Sequence, residues 1–491
     1  MPVDVRINEV VARNQSTWDD GTMAFPDWVE LYNAGDHGVV LSTLVLTDGE
    51  GEWRVPDDGV LPPGARVVVG LGAAGFGVGE GETVTLSDAS GVLDRVTPGA
   101  FAPDVAWARL PDGGPWGATT AATPGSANPT VPSSSLDTSD TAFGWGTLHR
   151  IDLALDDAAV AGLTIDRLTP VAGAVTIDGV RYAPVGVRLK STYGSARELD
   201  EKPGWKVDLN AYADLTWRGQ KGLTLNNLVQ DPTCVREHLA YRLFRAVGVP
   251  APRVGWAVVT LNGLDYGLSL LVETADERFL SRWYADPSGA LYEGSHGVDL
   301  RPGQEARFEY DEGPDPDDRA DLTAAIAALT APPDDTGVAG VEALVDVEEV
   351  LTYLAAEALA VHWDGYRNTN NYRIYHDPSD RLELLPWGTD NTFERGGLDP
   401  WAGDGVLLSY CLANAACAAR YDARLVEVAD VLDGLALDAE AAEVAAWLRP
   451  AIAADPRREY DLARHDAELT RVEALLVRWP EEVRGRVAAK R

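Results

Sequence analysis

The chain has 491 residues, 45% of them apolar and 15 of them tryptophan, which is too long for one ordinary core and too apolar for disorder, so two or three packed domains are expected. With 77 acidic against 41 basic residues the formal net charge is −36, which repels phosphate backbones and anionic bilayers and excludes nucleic acid as an expected partner. No run of about eighteen apolar residues is present to span a membrane. The start, Met1 to Val5, lacks the basic and apolar regions of a signal peptide, so the protein is expected in the cytoplasm, or outside the cell if a leader has been removed. The three cysteines, Cys234, Cys411 and Cys417, are too few for a disulfide framework. Free buried thiols are the expectation, with a Cys411–Cys417 bridge as the alternative in an oxidising compartment.

Residues 3–128 alternate in short apolar runs between Gly, Pro and Asp breaks: Val5–Val11, Asp27–Tyr32, Val39–Thr47, Arg66–Gly70 and Thr83–Leu86. That spacing predicts an all-β sandwich of immunoglobulin type. Glu9, Asp27 and Glu30 are expected to face solvent or close the polar ends of the sheet. The motifs Ile7-Asn8-Glu9-Val10, Asp27-Trp28-Val29-Glu30-Leu31-Tyr32-Asn33 and Leu61-Pro62-Pro63-Gly64 resemble those of lamin-tail domains. The resemblance implies a small sandwich that binds another surface component or acts as a spacer.

Residues 129–144 read as a linker, rich in Pro, Ser, Thr and Asp over Pro129 to Thr141. Beyond it, from residue 145, strands are expected at Ala174–Ile177 and Tyr182–Leu189, the second running into Lys190 and a small-residue turn that suits anions. Trp205–Leu209 is the next strand and carries Lys206. Asp231-Pro232 is read as the start of a helix that carries Glu237, with Asp at the N-cap. Asn262-Gly263 joins two strands as a hairpin, and a helix from Glu277 to Trp283 follows. Dense acidic loops are expected at Asp311 to Arg319 and Ala331 to Val338. Helices fill the rest of the chain after Phe393.

Between these helices lies His362 to Phe393. An apolar-periodic helix (Val347, Leu351, Leu354, Ala358, Val361) is expected to stop at Asp364-Gly365, with glycine in the left-handed conformation. An amide-rich loop follows, then a hairpin of Tyr372–Tyr375 and Leu382–Leu385, then Pro386-Trp387-Gly388-Thr389-Asp390. Protein kinases use this order: an Asp that receives the hydroxyl proton, an Asn and a later Asp that hold Mg²⁺, and a strand lysine fixed by a helix glutamate. The kinase spacing of five places Thr369 after Asp364; Asn370 and Asn371 stand at six and seven. Any one element here is ordinary, and their order is what selects the kinase pattern.

The chain also resembles the CotH spore-coat kinases, through Leu225-Asn226-Asn227-Leu228-Val229-Gln230-Asp231-Pro232, Arg236-Glu237-His238, Trp363-Asp364-Gly365-Tyr366 with Asn370-Asn371-Tyr372, and Pro386-Trp387-Gly388-Thr389-Asp390. The resemblance implies an α+β atypical protein-kinase-like domain, with a small lobe over about 145–273 and a helical large lobe over about 274–491. It implies transfer of the ATP γ-phosphate to Ser or Thr of a protein with Mg²⁺ or Mn²⁺, and a location at the cell envelope. Asp364 would orient the hydroxyl, Asp390 with Asn370 or Asn371 would hold metal, Lys206 paired with Glu237 would contact phosphates, and Lys190 would add a second positive charge. The family often reads Pro-Trp-Asp-x-Asp, and Gly388 departs from it at the first Asp. The alternatives are a kinase fold without catalysis that works as an adhesin or assembly protein, and transfer to another acceptor, such as AMP transfer or small-molecule phosphorylation.

Overall fold

The computed structural model describes residues 3–14, 17–20, 25–48, 51–55, 59–71, 77–78, 82–98, 104–114, 116–119, 122–128, 142–190, 193–213, 215–218, 220–284, 286–313 and 319–490. Most of the expected linker, and the first residues of the turn after Lys190, lie outside them. The chain divides into two compact units, residues 1–144 with 214–221 and residues 145–213 with 222–491.

In the first unit the strands Trp116–Thr119, Ala106–Arg109, Val5–Val11, Trp28–Asn33 and Arg66–Gly70 form, in that order, an antiparallel sheet. A second sheet runs Glu52–Arg54, Val45–Thr47, Val84–Asp88, Gly91–Val96. Alternate apolar side chains of both sheets, among them Ile7, Val10, Val29, Leu31, Leu46, Val69, Val84 and Leu86, share one core, as expected of a sandwich. The first domain corrects one expectation. Glu9 and Glu30 are fully buried and Asp27 half-buried: Glu9 and Glu30 pair across the strands on the face away from the core, and the segment around Thr123 to Gly125 covers them there. Glu9 accepts from Thr123 N and Oγ1, and Glu30 from Gly125 N and Asn8 Nδ2, so they fasten the closing segment onto the sheet. Burial, then the charge of Glu30, pushes the Glu9 carboxyl up to about 8.

The second unit opens with a closed barrel of strands Leu148–Ala154, Val171–Ile177, Val180–Lys190, Gly204–Asp208, Gly222–Asn226, Leu264–Val272 and Val254–Leu261. Leu148–Ala154 pairs in parallel with Val254–Leu261 and closes the ring. Asn262 and Gly263 both take positive φ at the hairpin tip, the geometry of a tight turn matched to strand twist. The helix Arg236–Ala246 is inserted between Gly222–Asn226 and Val254–Leu261. It begins five residues after Asp231, and Asp231 still caps it by accepting from Arg236 N at 2.8 Å across an irregular turn.

The helix Glu277–Trp283, capped by Asp276, leads into a four-stranded sheet ordered Glu309–Glu312, Ala290–Gly294, Tyr372–Asp377, Arg381–Pro386. The expected acidic loops are therefore partly ordered: Asp311 is in a strand, and the helix Asp335–Glu342 begins inside the second. The helices Val347–Leu359, Val406–Ala413, Ala415–Leu435, Leu437–Ala454 and Leu462–Lys490 share one core with the sheet and the helix Arg236–Ala246. Every residue from Val350 to Leu359 is buried, as fits a helix apolar nearly all round. Cys411 and Cys417 are bridged, contrary to the expected free thiols, because Asn414 ends one helix and caps the next and so turns the two side chains together. Cys234 is a free, buried thiol. Among the described residues no helix is long and apolar enough to cross a membrane.

Candidate active site

The helix Val347–Leu359 ends earlier than expected, and Val361, not Gly365, takes the left-handed conformation. Gly365 is extended, with φ −99°, and its missing side chain leaves room for the Glu357 carboxylate and the His362 ring. Burial holds His362 down at about 3, so its ring is neutral. Asp364 is half-buried just beyond it.

Three amides converge on Asp364. Asn370 Nδ2 donates to Oδ1 at 3.0 Å, Asn371 Nδ2 to Oδ2 at 3.0 Å, and Asn391 Nδ2 to Oδ2 at 3.2 Å. Thr369 and Asn371 both have positive φ, and this double kink brings both asparagines round although neither stands at the kinase spacing. The sequence left the choice between Asn370 and Asn371 open; both reach the carboxylate.

Asp390 follows the hairpin on a short 3₁₀ turn, Thr389–Asn391. Burial pushes its carboxyl up to about 6, the Lys190 charge opposes that, and Asp364 and Asp231 add to it. On the helix Arg236–Ala246, burial and then Asp390 push Glu237 up to about 7, against the pull of Lys190. Asn226 Nδ2 donates to both Glu237 oxygens, at 2.9 and 2.7 Å, and Tyr241 Oη donates at 3.3 Å. One group therefore contains Lys190, Glu237, Asp390 and Asp364.

Lys206 is not the partner of Glu237, which corrects the expected pair. On the barrel, Val187, Leu189, Trp205, Val207, Leu223 and Leu225 are buried on one face, so Arg188, Lys190, Lys206 and Thr224 point to the other. Lys190 is one step nearer the helix, opposite Gly204, while Lys206 stands opposite Arg188. The charges that act on Lys206 are those of Arg373, Arg188, Glu293 and Asp311. Burial first, then the two arginines, hold it down at about 8. The strand directly before the helix carries Asn226 where the kinase pattern leads one to seek lysine.

Asn226, Asn391 and Arg373 have no role in the sequence reading, and Asp231 has only that of a helix cap. Asn226 and Asp231 lie inside the quoted family motif, and Asn391 adjoins Asp390. Arg373 had one signal, a charge at an apolar strand position between Tyr372 and Ile374.

Gly388 sits at φ 56°, and a Cβ there would lie 2.9 Å from Asn371 Oδ1 and 3.0 Å from its Cγ. The absence of a side chain keeps the Asn371 amide oxygen uncovered on that side. Among the described residues no three His, Cys, Asp or Glu side chains form a ready metal cage. Mg²⁺ does not require such a cage, since it takes one or two carboxylates and completes its shell with waters and phosphates. The Asp390 carboxylate and the Asn371 amide oxygen are hard oxygen donors of the type that ion takes.

The profile of the CotH kinase protein family matches residues 194–479, and that of the Lamin Tail Domain residues 2–100. The chain belongs to the CotH kinase family. Its CotH region is kinase-like in fold, with a helical C-terminal lobe, and is preceded by a lamin-tail sandwich. The inner spore coat protein H of Bacillus subtilis is 27% identical over 198 residues, 38% of this chain and 54% of the relative. The invasin CotH2 of Rhizopus delemar is 25% identical over 259 residues, 49% of this chain and 43% of the relative. The chain thus spans about half the length of these CotH relatives. A solved complex of Shewanella oneidensis HipA, HipB and operator DNA covers 70% of this chain and 76% of its own at 14% identity, with a TM-score of 0.30, too low for any argument to rest on it.

Proposed function

We propose that this CotH protein transfers the γ-phosphate of ATP to serine or threonine hydroxyls of a protein. The reading is supported by one relationship among four separate segments: Glu237 and Asp390 both lie within reach of the Lys190 charge, Asp390 acts on Glu237, and Asp364 acts on Asp390. Asp364, aligned by three amide donors, receives the hydroxyl proton of the acceptor. Lys190, drawn towards Glu237 and Asp390, holds phosphate oxygens, and Asn226 fixes the Glu237 carboxylate that orients it. A divalent cation on Asp390 and Asn371 would neutralise charge on the transferred group. The lamin-tail unit would hold the kinase-like unit on another surface component. The names of the relatives, a spore coat protein and an invasin, support a place at the cell envelope.

The test is label transfer from γ-labelled ATP with Mg²⁺ or Mn²⁺, to the protein itself and to generic acceptors, with mass spectrometry of the product. Incorporation at Ser or Thr that disappears in Asp364→Ala and Asp390→Ala is expected. Absence of incorporation from wild type would sink the reading. A second reading, a binding protein without catalysis, is favoured by Gly388, which stands where the family motif often has its first Asp; a wild type that binds nucleotide without transfer would select it.

A further inference from the structure

Arg188, Lys206 and Arg373 form a second group of cations that the reaction above does not use. Arg188 and Lys206 face each other directly across two strands, an arrangement of like charges that costs stability unless something neutralises it. The Arg373 side chain is only 3% exposed; Nε donates to Asp311 at 2.7 Å and Nη2 to Glu293 at 2.9 Å. Its Nη1 is buried with no hydrogen-bond partner, and its guanidinium stacks 3.9 Å over the Trp387 ring. Both carboxylates are thus engaged by Arg373. Among the described residues Lys206 has no carboxylate oxygen within 4.0 Å, and the hydrogen bond that Arg188 makes there goes to the Leu189 carbonyl, at 3.3 Å. Against the three cations stand two carboxylates, Glu293 and Asp311, which act on Arg188 and Lys206 as well as on Arg373, and one positive charge is left over in a chain with almost twice as many acids as bases. The covered, unpartnered Nη1 of Arg373 costs free energy where it stands.

We propose that Arg188, Lys206 and Arg373 form a phosphate-binding subsite, separate from the group around Lys190, Glu237 and Asp390. Arg188 and Lys206, opposite each other on the strands, with Arg373 on the carboxylates that act on both, match the charge and the several acceptor oxygens of a phosphate. Lys190 is two residues beyond Arg188 on the same strand face, about 7 Å along it, so both groups can hold one ligand with several phosphates. The subsite deepens the phosphotransfer reading, on which its placement beside the reacting groups rests. The phosphate has two possible sources: the nucleotide, or an acceptor segment that already carries phosphoserine.

Calorimetry on the full chain decides this, with inorganic tripolyphosphate, ATP and a phosphoserine peptide beside its unphosphorylated form. Arg188→Gln and Lys206→Gln are expected to weaken tripolyphosphate binding about tenfold or more, the effect of one charge-assisted hydrogen bond, and Arg188→Lys to retain most of it. A parallel loss for ATP alone identifies the nucleotide as the source, and for the phosphopeptide alone the acceptor. Acylation of wild-type Lys206, read by mass spectrometry, should be suppressed by tripolyphosphate, which tests the site without a variant. Unchanged affinity for all three phosphate probes in both Gln variants, or no protection of Lys206, overturns the proposal. Equilibrium binding is read without turnover: a chain that binds but never transfers keeps the subsite and loses the kinase reading, and the reverse result does the opposite.

Discussion

Asn226 holds Glu237 by both carboxylate oxygens, at 2.9 and 2.7 Å. The strand before the helix thus supplies a neutral donor to the helix glutamate, and the positive charge arrives from Lys190, two strands away around the barrel. The arrangement gives the two lysines different tasks.

Lys190→Met should therefore remove phosphotransfer by about a hundredfold or more, the scale of a lost charged contact to the transferred group. Lys206→Met should act mainly on KM, since Lys206 lies away from Asp390. Initial rates at varied ATP separate the two; equal losses in kcat would contradict the assignment.

Asp390 and Glu237 are held above ordinary carboxyl values, at about 6 and about 7. The folded state then binds more protons than the unfolded one between roughly pH 4 and 7, so these two groups make stability fall as pH rises through that window. Thermal melts from pH 4.5 to 7.5 should show a shallower fall in Glu237→Gln and Asp390→Asn. Added Mg²⁺ should recover stability at pH 7.5 in wild type and not in Asp390→Asn.

Glu273 has the opposite sign. Burial opposes its charge, but Arg253 and Arg282 pull it down to about 2. Its contribution is complete above the unfolded value near 4.5 and is lost as pH falls through about 2. Glu273→Gln should cost about 3–5 kcal/mol at neutral pH, because it leaves two guanidiniums around a buried site without a counter-charge. Urea melts at pH 7 and pH 3 test this; a similar loss at both would argue for packing instead.

Gly388→Ala should destabilise by about 1–2 kcal/mol through its left-handed backbone and should push Asn371 off Asp364. Transfer rates are expected to fall more than stability does. If the variant folds as wild type and transfers as fast, Asn371 has no part in the site.

Cys411→Ser should lower stability by roughly 2 kcal/mol, the loop-closure effect of a short bridged segment, read by urea melts of oxidised protein. No change would mean that the bridge does not form in solution.

Much of this molecule was legible in its residues. Alternation gave the strands Val5–Val11 and Arg66–Gly70, three-and-four periodicity gave the core helix after Asp346, and Asn262-Gly263 gave its hairpin. These are properties of neighbours along the chain, where side-chain direction follows from backbone period. The motif order likewise pointed to Asp364 and Asp390. What the sequence could not give is which lysine faces which glutamate. Lys190 ends one apolar strand and Lys206 lies within the next, and only the register, Lys190 opposite Gly204 and Lys206 opposite Arg188, separates them by the one step that decides the partner. The burial of Glu9 and Glu30 likewise depended on a segment more than ninety residues further along the chain, Thr123 to Gly125, folding over their face of the sheet, which alternation cannot foresee. The local period fixes what each side chain is able to do; the strand register and the closure of the barrel, set by contacts far apart in the chain, decide which charges meet.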